Sequence, residues 1–396
     1  MSILRFPFPS AYPGEPAPEF ARLRETEPVV RVLLPTGDTA WLVTGYEDNR
    51  TVLSDPRFSR AATTVPGAPR LQPIPPDPTA LFSMDPPAHT RVRRLASRGF
   101  TPGRVAALRP TTERETDQLI DELLETGPPA DLVAGFARRL PIAVICELLG
   151  APAADRTQIA GWVDVLLSLT AFAPAEIRAA RMALKQYIAQ LVATKRRSPG
   201  DDLISELIKV RDEQNDRLSE DELIMLGCTV LTGGFLTTAS QIALSWLCLL
   251  RHPAELARLR REPDLLDGVV TELLRYNALT TGGGLIRIAL EDVRLSTATI
   301  AAGEAVLPAI AAANRDPRVF ADPDRFDPAR TDNRHLTFGL GVHYCLGAQL
   351  AKMELEVAVN AIARRMPGLR PATDVTLLGV QSGHLVRGLP ELPVSW

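Results

Sequence analysis

The spacing of apolar residues changes character twice along this 396-residue chain. Near the start, Val29 to Pro35 and Thr39 to Gly45 alternate apolar and polar positions around Thr36-Gly37-Asp38, which predicts a β-hairpin. A short helix is expected over 46–54. From Pro87 onward apolar residues recur with the helical period. That spacing predicts helices near 87–98, 104–126, 132–149, 155–170, 175–195, 202–212, 219–250, 253–261 and 264–276. Asp131, Ser219 with Asp221 and Glu222, and Pro174-Ala-Glu176 are suitable helix starts. Strand-like runs return over 285–310, a Pro/Asp-rich coil covers 314–335, and a last helix runs from about Leu346 to Arg365. No repeat period is present. The pattern predicts a mostly α protein with small β-sheets at both ends, built as one domain over 1–396.

Composition narrows this further. The 34 prolines cluster as punctuation, most densely in the loop holding Pro66, Pro69, Pro73, Pro75, Pro76 and Pro78. A loop of that length in a compact domain usually carries function. Charges of 44 and 47 leave a net −3, so no strong field points toward nucleic acid or an anionic membrane. Cys146, Cys228, Cys248 and Cys345 are too scattered for a disulfide framework, and no CxxC suggests structural zinc. The N-terminus shows no apolar export segment, so the expected location is cytoplasmic. Ile224 to Leu250 runs 27 residues without a charge, enough to span a bilayer. Its Thr229, Thr232, Thr237, Thr238, Ser240, Gln241, Ser245 and three glycines instead suggest a helix wrapped by other helices.

Three local features carry chemistry. In Phe338-Gly-Leu-Gly-Val-His343-Tyr-Cys345-Leu-Gly347, three glycines permit tight turns just before an amphipathic helix. Cys345 therefore falls at a helix N-terminus, where a thiolate is favoured. It could be a nucleophile, a metal ligand, a heme axial ligand or simply a buried structural cysteine. In Gly233-Gly234-Phe-Leu236-Thr237-Thr238, bare backbone could accept a flat ligand, and a threonine hydroxyl could open the helix ladder. Tight helix packing is the plainer alternative. Glu272-Leu-Leu-Arg275 is an i,i+3 pair of a kind usually found on helix surfaces.

Taken in order, DPPAHTRVRR (85–94), GGFLTT (233–238), ELLR (272–275), ANRDPRVFADPDRF (313–326) and FGLGVHYCLG (338–347) resemble a bacterial cytochrome P450 over essentially the whole chain. The resemblance implies the P450 fold, with heme b as cofactor and O2 as co-substrate. It makes Cys345 the iron ligand, with Phe338 near its sulfur and Gly347 after it. Gly233 and Gly234 would lie against the heme. His89, Arg93, Arg287 and His343 would hold its propionates, and Glu272, Arg275 and Arg325 would form a buried ion network bracing the ligand loop. Thr237 matches the distal threonine that assists proton delivery, with Thr238 as a substitute.

The chain departs from the family pattern at Leu236, where most members carry an acid, and at Gly233 in place of alanine. Leucine cannot relay a proton. Oxidative coupling or dehydrogenation therefore stands beside hydroxylation or epoxidation, and a non-catalytic heme sensor is a lesser alternative. A substrate roof is expected from the loop 61–83, Trp162 to Arg178, Ala278 to Leu285 and Gln381 to Leu385. Leu167, Phe172, Leu236, Thr281, Gly283, Leu285 and Ser382 would line the pocket. Resemblance to actinobacterial tailoring enzymes, including LPIAVICELLG (140–150) and LPELPVSW (389–396), implies a polyketide- or macrolide-like secondary metabolite. A separate ferredoxin and its reductase would bring electrons from NAD(P)H, docking near Arg91, Arg94, Arg98 and Lys352 of a monomer.

Overall fold

A computed structural model describes residues 3–10, 12–213, 218–281 and 284–396. The predicted hairpin forms, with Val29–Leu33 antiparallel to Thr39–Val43 over five register pairs. Its turn uses Gly37 at φ 88, a left-handed conformation that costs glycine little. Thr39–Val43 then pairs in parallel with Ala305–Pro308, so the strand-like region after residue 285 returns to the N-terminal hairpin. Leu4–Arg5, Arg287–Ala289 and Phe58–Ser59 complete a six-stranded sheet. A three-stranded sheet joins Ala130–Asp131, Arg370–Pro371 and Pro393–Ser395. Strands this short leave no sequence periodicity, which is why the second sheet's partners were not legible. The helix Pro18–Thr26, also absent from the sequence expectation, buries Phe20 and Leu23 under the first sheet's apolar layer.

The helical part holds the main apolar cluster. Its centre is the predicted 219–250 helix, whose N-terminus closes with a capping box between Ser219 and Glu222. The helix is not continuous. It runs as Glu220–Gly234 and Leu236–Arg251, broken at Phe235, where ψ is −77°. Within Glu220–Arg251, the most apolar stretch is long enough to cross a membrane, and 67% of it is buried inside the protein. The predicted helix over 132–149 likewise divides, into a π-helical turn Val133–Ala137 and the α-helix Arg139–Leu149. The final helix, Ala348–Arg365, packs against Pro102–Thr126 and Leu236–Arg251.

Candidate functional site

The cysteine loop is built from backbone constraints. Gly339 and Gly341 take φ of 72° and 70°. A Cβ on Gly341 would lie 3.0 Å from both Leu53 O and Ser54 Cα, backbone atoms that cannot yield. Cys345 N–H donates to Phe338 O at 2.8 Å and Tyr344 N–H to Gly341 O at 3.0 Å, folding the loop back on itself. The Gly347 N–H donates to the Cys345 sulfur. Arg93 Nη2 reaches the Tyr344 carbonyl at 2.6 Å. Burial raises the Cys345 thiol pKa, while the Gly347 N–H and the Arg93 charge pull it down. Cys345 nevertheless keeps accessible surface, the combination expected of a group lining an internal slot. The other three cysteines are buried, and burial pushes Cys146 and Cys228 up to about 12.

Behind the loop, Glu272 and Arg275 form a bidentate pair at 2.6 and 2.8 Å with both side chains wholly inaccessible. Glu272 also accepts from Asp327 N–H and Asn333 Nδ2, each at 2.9 Å. Arg275 Nη1 donates to the Asn314 and Pro323 carbonyls, each at 2.8 Å. Asn314 in turn fixes Leu336 N–H and Thr337 Oγ1, two residues from Phe338. The third charge in this network belongs to Arg330, whose Nε lies 3.4 Å from Glu272. This corrects the expectation for Arg325, which is exposed and contributes only its carbonyl, as acceptor from Arg275. Phe326 turns inward to the core, and that sends the preceding Arg325 side chain to solvent.

On the other side of the loop lies a cluster of cationic side chains. The His89 and His343 rings are 4.4 Å apart. His89 is 1% exposed, and its Nε2 has no partner among the described residues. Burial, then the neighbouring His89 and arginine charges, push His343 down to about 3, and burial and Arg93 lower His89 as well. Arg287 is buried and donates to Leu285 O at 3.0 Å. Beside it stands Arg60, which the sequence did not single out. Its Nε donates to Phe82 O at 2.8 Å and its Nη1 to Ile286 O, and burial followed by the Arg287 charge lowers it to about 9. Among the described residues, the carboxylate that acts on Arg60 and Arg287 is Asp85. Its oxygens are already engaged by Ser59 Oγ and the Arg60 and Ala61 N–H groups.

The broken central helix supplies a third wall. Gly233 is exposed in mid-tract, and a Cβ there would meet nothing within 4 Å. Gly234 has a different role, since its Cβ would fall 2.5 Å from Ile145 Cδ1. Thr237 Oγ1 donates to the Gly233 carbonyl, so a hydroxyl occupies the helix ladder at the break. Thr238 and Leu236 are buried, at 5% and 3% exposure. Leu236 belongs to the main apolar cluster rather than to an accessible wall, which corrects its expected place in the pocket lining.

The expected roof segments meet. Gly383 O accepts from the N–H groups of Leu169, Thr170 and Ala171, and Leu385 N–H donates to Leu167 O at 2.8 Å. Thr281 N–H donates to Leu385 O at 3.1 Å. Gln72 Nε2 bonds the Leu166 and Ser168 carbonyls, and Lys185 pairs with Asp77 at 2.8 Å. Phe172 packs edge-on to His384, a residue without an expected role that proves to be buried in this roof. Leu285 and Ser382 are exposed, and Gly283 lies outside the described residues.

Residues 153–366 match the sequence model of the cytochrome P450 family. The chain is 46% identical to nocardicin C N-oxygenase of Nocardia uniformis subsp. tsuyamanensis over 98% of each chain. It superposes with the LnmA cytochrome P450 hydroxylase from the leinamycin pathway of Streptomyces atroolivaceus at a TM-score of 0.91, with 46% identity and full coverage of both chains. Cytochrome P450mel 107F1, which has biaryl coupling reactivity, gives a TM-score of 0.93 at 40% identity, again over both full chains. The chain belongs to the cytochrome P450 family. It is a monooxygenase of that family, whose cofactor is heme and whose co-substrate is O2.

The residues present fit heme. Arg60 and Arg287 stand against the Asp85 carboxylate and Arg93 against the Cys345 sulfur, while burial lowers both histidines toward their neutral forms. Even with the Cys345 thiolate facing Arg93, the cluster keeps a net positive charge, the sign that the two carboxylates of heme require. Unpaired buried charge is costly until such a partner arrives. The orphaned His89 Nε2 points to the same need.

Proposed function

We propose that the chain, working in the cytoplasm as a monomeric single domain over 1–396, hydroxylates or epoxidises a medium-to-large, polyketide- or macrolide-like secondary metabolite. The observation that carries the heme-dependent reading is Cys345, presented on a glycine loop beside a buried cluster of net positive charge. Cys345 would ligate the iron, Gly233 would lie against the ring, and His89, Arg93, Arg287, His343 and Arg60 would hold the propionates. Bound heme supplies an iron centre that activates O2, and electron donation from the cysteine thiolate favours O–O cleavage.

This chain's residues then control protons and water. Thr237 is half-buried and ends a short hydroxyl-to-carbonyl link at the break, so it is the group placed to hold a proton donor. Leu236 offers no proton, so delivery depends on Thr237, water and hydroxyls of the substrate. Thr237→Ala should lower product formed per nicotinamide consumed by about tenfold, less than the roughly 10²–10⁴-fold of a full general acid–base contribution because water substitutes in part. Product and hydrogen peroxide measured together check this, and unchanged coupling would remove Thr237 from the proton route.

Arg60→Leu should speed heme transfer to apomyoglobin by about 30-fold, the loss of one charge-assisted hydrogen bond of about 2 kcal/mol. A transfer rate equal to that of the wild type would take Arg60 out of the propionate clamp.

The substrate class draws support from the leinamycin-pathway relative and from the extended roof. Spin-state titration with macrolides against small terpenes tests it, with tight shifts expected from the macrolides. A second reading, oxidative coupling without oxygen insertion, is favoured by Leu236 and by the likeness to the biaryl-coupling enzyme. Product formed under labelled O2 separates the two readings. Electrons would come from NAD(P)H through a separate ferredoxin and its reductase. Arg94 and Arg98 are exposed on the cysteine side and suit that docking, whereas Arg91 pairs with Glu222 and Lys352 with Asp267.

A further inference from the structure

The π-helical turn Val133–Ala137 ends at Arg138, whose N–H donates to Val133 O at 3.0 Å. A π-turn inserts one residue into the helical phase and recurs at functional sites. In this chain Arg138, just past the turn, touches two other elements at once. Its Nη2 donates to Asp164 Oδ2 at 2.6 Å, on the helix Arg156–Leu166. Its guanidinium also lies over the Phe235 ring, 5.2 Å from the centroid.

Phe235 is fully buried and is the residue at which the central helix breaks. Thr237 follows two positions later. On the preceding side of the break, Gly234 lies flush against Ile145 of the helix Arg139–Leu149, which begins just after Arg138. The helix carrying Asp164 leads directly into the loop that docks on Gly383 and Leu385. The Arg138–Asp164 pair is half-exposed, with side chains at 31% and 29%, so it adds little to stability. A cation over a ring is directional, however, and sets orientation. Leu236 offers no polar group through which the break could be tied to the roof.

We propose that Asp164, Arg138 and Phe235 form a positioning link, by which the roof helix Arg156–Leu166 holds the break in the geometry that Thr237 requires. The inference rests on the monooxygenase reading above. It predicts that removing a charge on the roof helix loosens a segment about 70 residues further along the chain, while heme binding is untouched.

The test uses the heme-loaded protein, with a surrogate ferredoxin and reductase, in Arg138→Leu, Arg138→Lys, Asp164→Asn and the double variant Arg138→Leu/Asp164→Asn. Amide hydrogen exchange over 231–241 reports the break. The share of consumed nicotinamide recovered as hydrogen peroxide reports proton handling. Arg138→Leu should quicken exchange over 231–241 by about fivefold, the effect of one lost cation–ring contact. It should also raise the peroxide share. Asp164→Asn should move both readouts in the same direction, the double variant should go no further than Arg138→Leu, and Arg138→Lys should keep most of the wild-type behaviour. The link is overturned if Asp164→Asn alters exchange only within 156–166, if the two single effects add, or if heme content falls while both readouts per heme stay constant. A wild type that consumes neither nicotinamide nor O2 with the surrogate ferredoxin and reductase would instead contradict the monooxygenase reading, and the exchange measurement would still judge the link.

Discussion

Cys345→Ser should abolish the thiolate signature of the reduced carbon monoxide complex and lower oxygenation by at least about 10³-fold. The loop fixes where the side chain at position 345 sits, whatever its chemistry. Its backbone is closed by the Cys345 N–H to Phe338 O bond and the glycine turns, so a serine hydroxyl would occupy the same position. A hydroxyl does not ionise near neutral pH, and it lacks the electron donation that favours O–O cleavage. Because the cation cluster is unaltered, the variant should still take up heme, at reduced occupancy. A serine variant that kept a thiolate-type spectrum would mean that a different residue holds the iron. Cys146, Cys228 and Cys248 are poor replacements, being buried with their thiols pushed up.

The second large effect is expected at Glu272. Glu272→Gln removes one charge from a pair with no accessible surface and leaves Arg275 buried without its carboxylate. Breaking a buried pair from one side costs about 3–5 kcal/mol, a large share of the roughly 5–15 kcal/mol that holds a domain folded. The damage should reach the heme, because Arg275 positions Asn314, and Asn314 holds Leu336 and Thr337 at the start of the cysteine loop. Heme per polypeptide should fall steeply, and the urea midpoint should drop. Arg330→Gln, at the longer 3.4 Å contact, should be much milder. Equal heme content and an unchanged midpoint in Glu272→Gln would show that the network does not brace the loop.

The backbone of the candidate site is legible in the sequence where the physics is local. Glycines beside Cys345 announce tight backbone, and the Gly-Gly-x-x-Thr tract announces a disturbed helix. The hairpin at Gly37 and the helix Tyr46–Ser54 were equally plain from alternation and spacing. What was illegible depends on long-range packing. Arg60 gave no signal, because a single arginine between a strand and a proline-rich loop looks solvated until Phe82 and Ile286 close over it. Arg330 and Arg325 sit in the same coil, and only the inward turn of Phe326 decides which of them reaches Glu272. A threonine that disturbs the helix ladder is legible near Thr237, but the break itself at Phe235 is not, since the apolar run continues through it. The π-turn that sets Arg138 against Phe235 is not legible either, because it keeps the helical apolar period.

The most direct test of the account is the difference spectrum of the purified protein, reduced with dithionite and exposed to carbon monoxide. A band near about 450 nm is the predicted result, establishing heme bound through a thiolate, and its loss in Cys345→Ser would place that thiolate. A band near about 420 nm in the wild type would contradict thiolate ligation. No heme band at all, from cells supplied with heme, would contradict the whole assignment of the cation cluster and the cysteine loop.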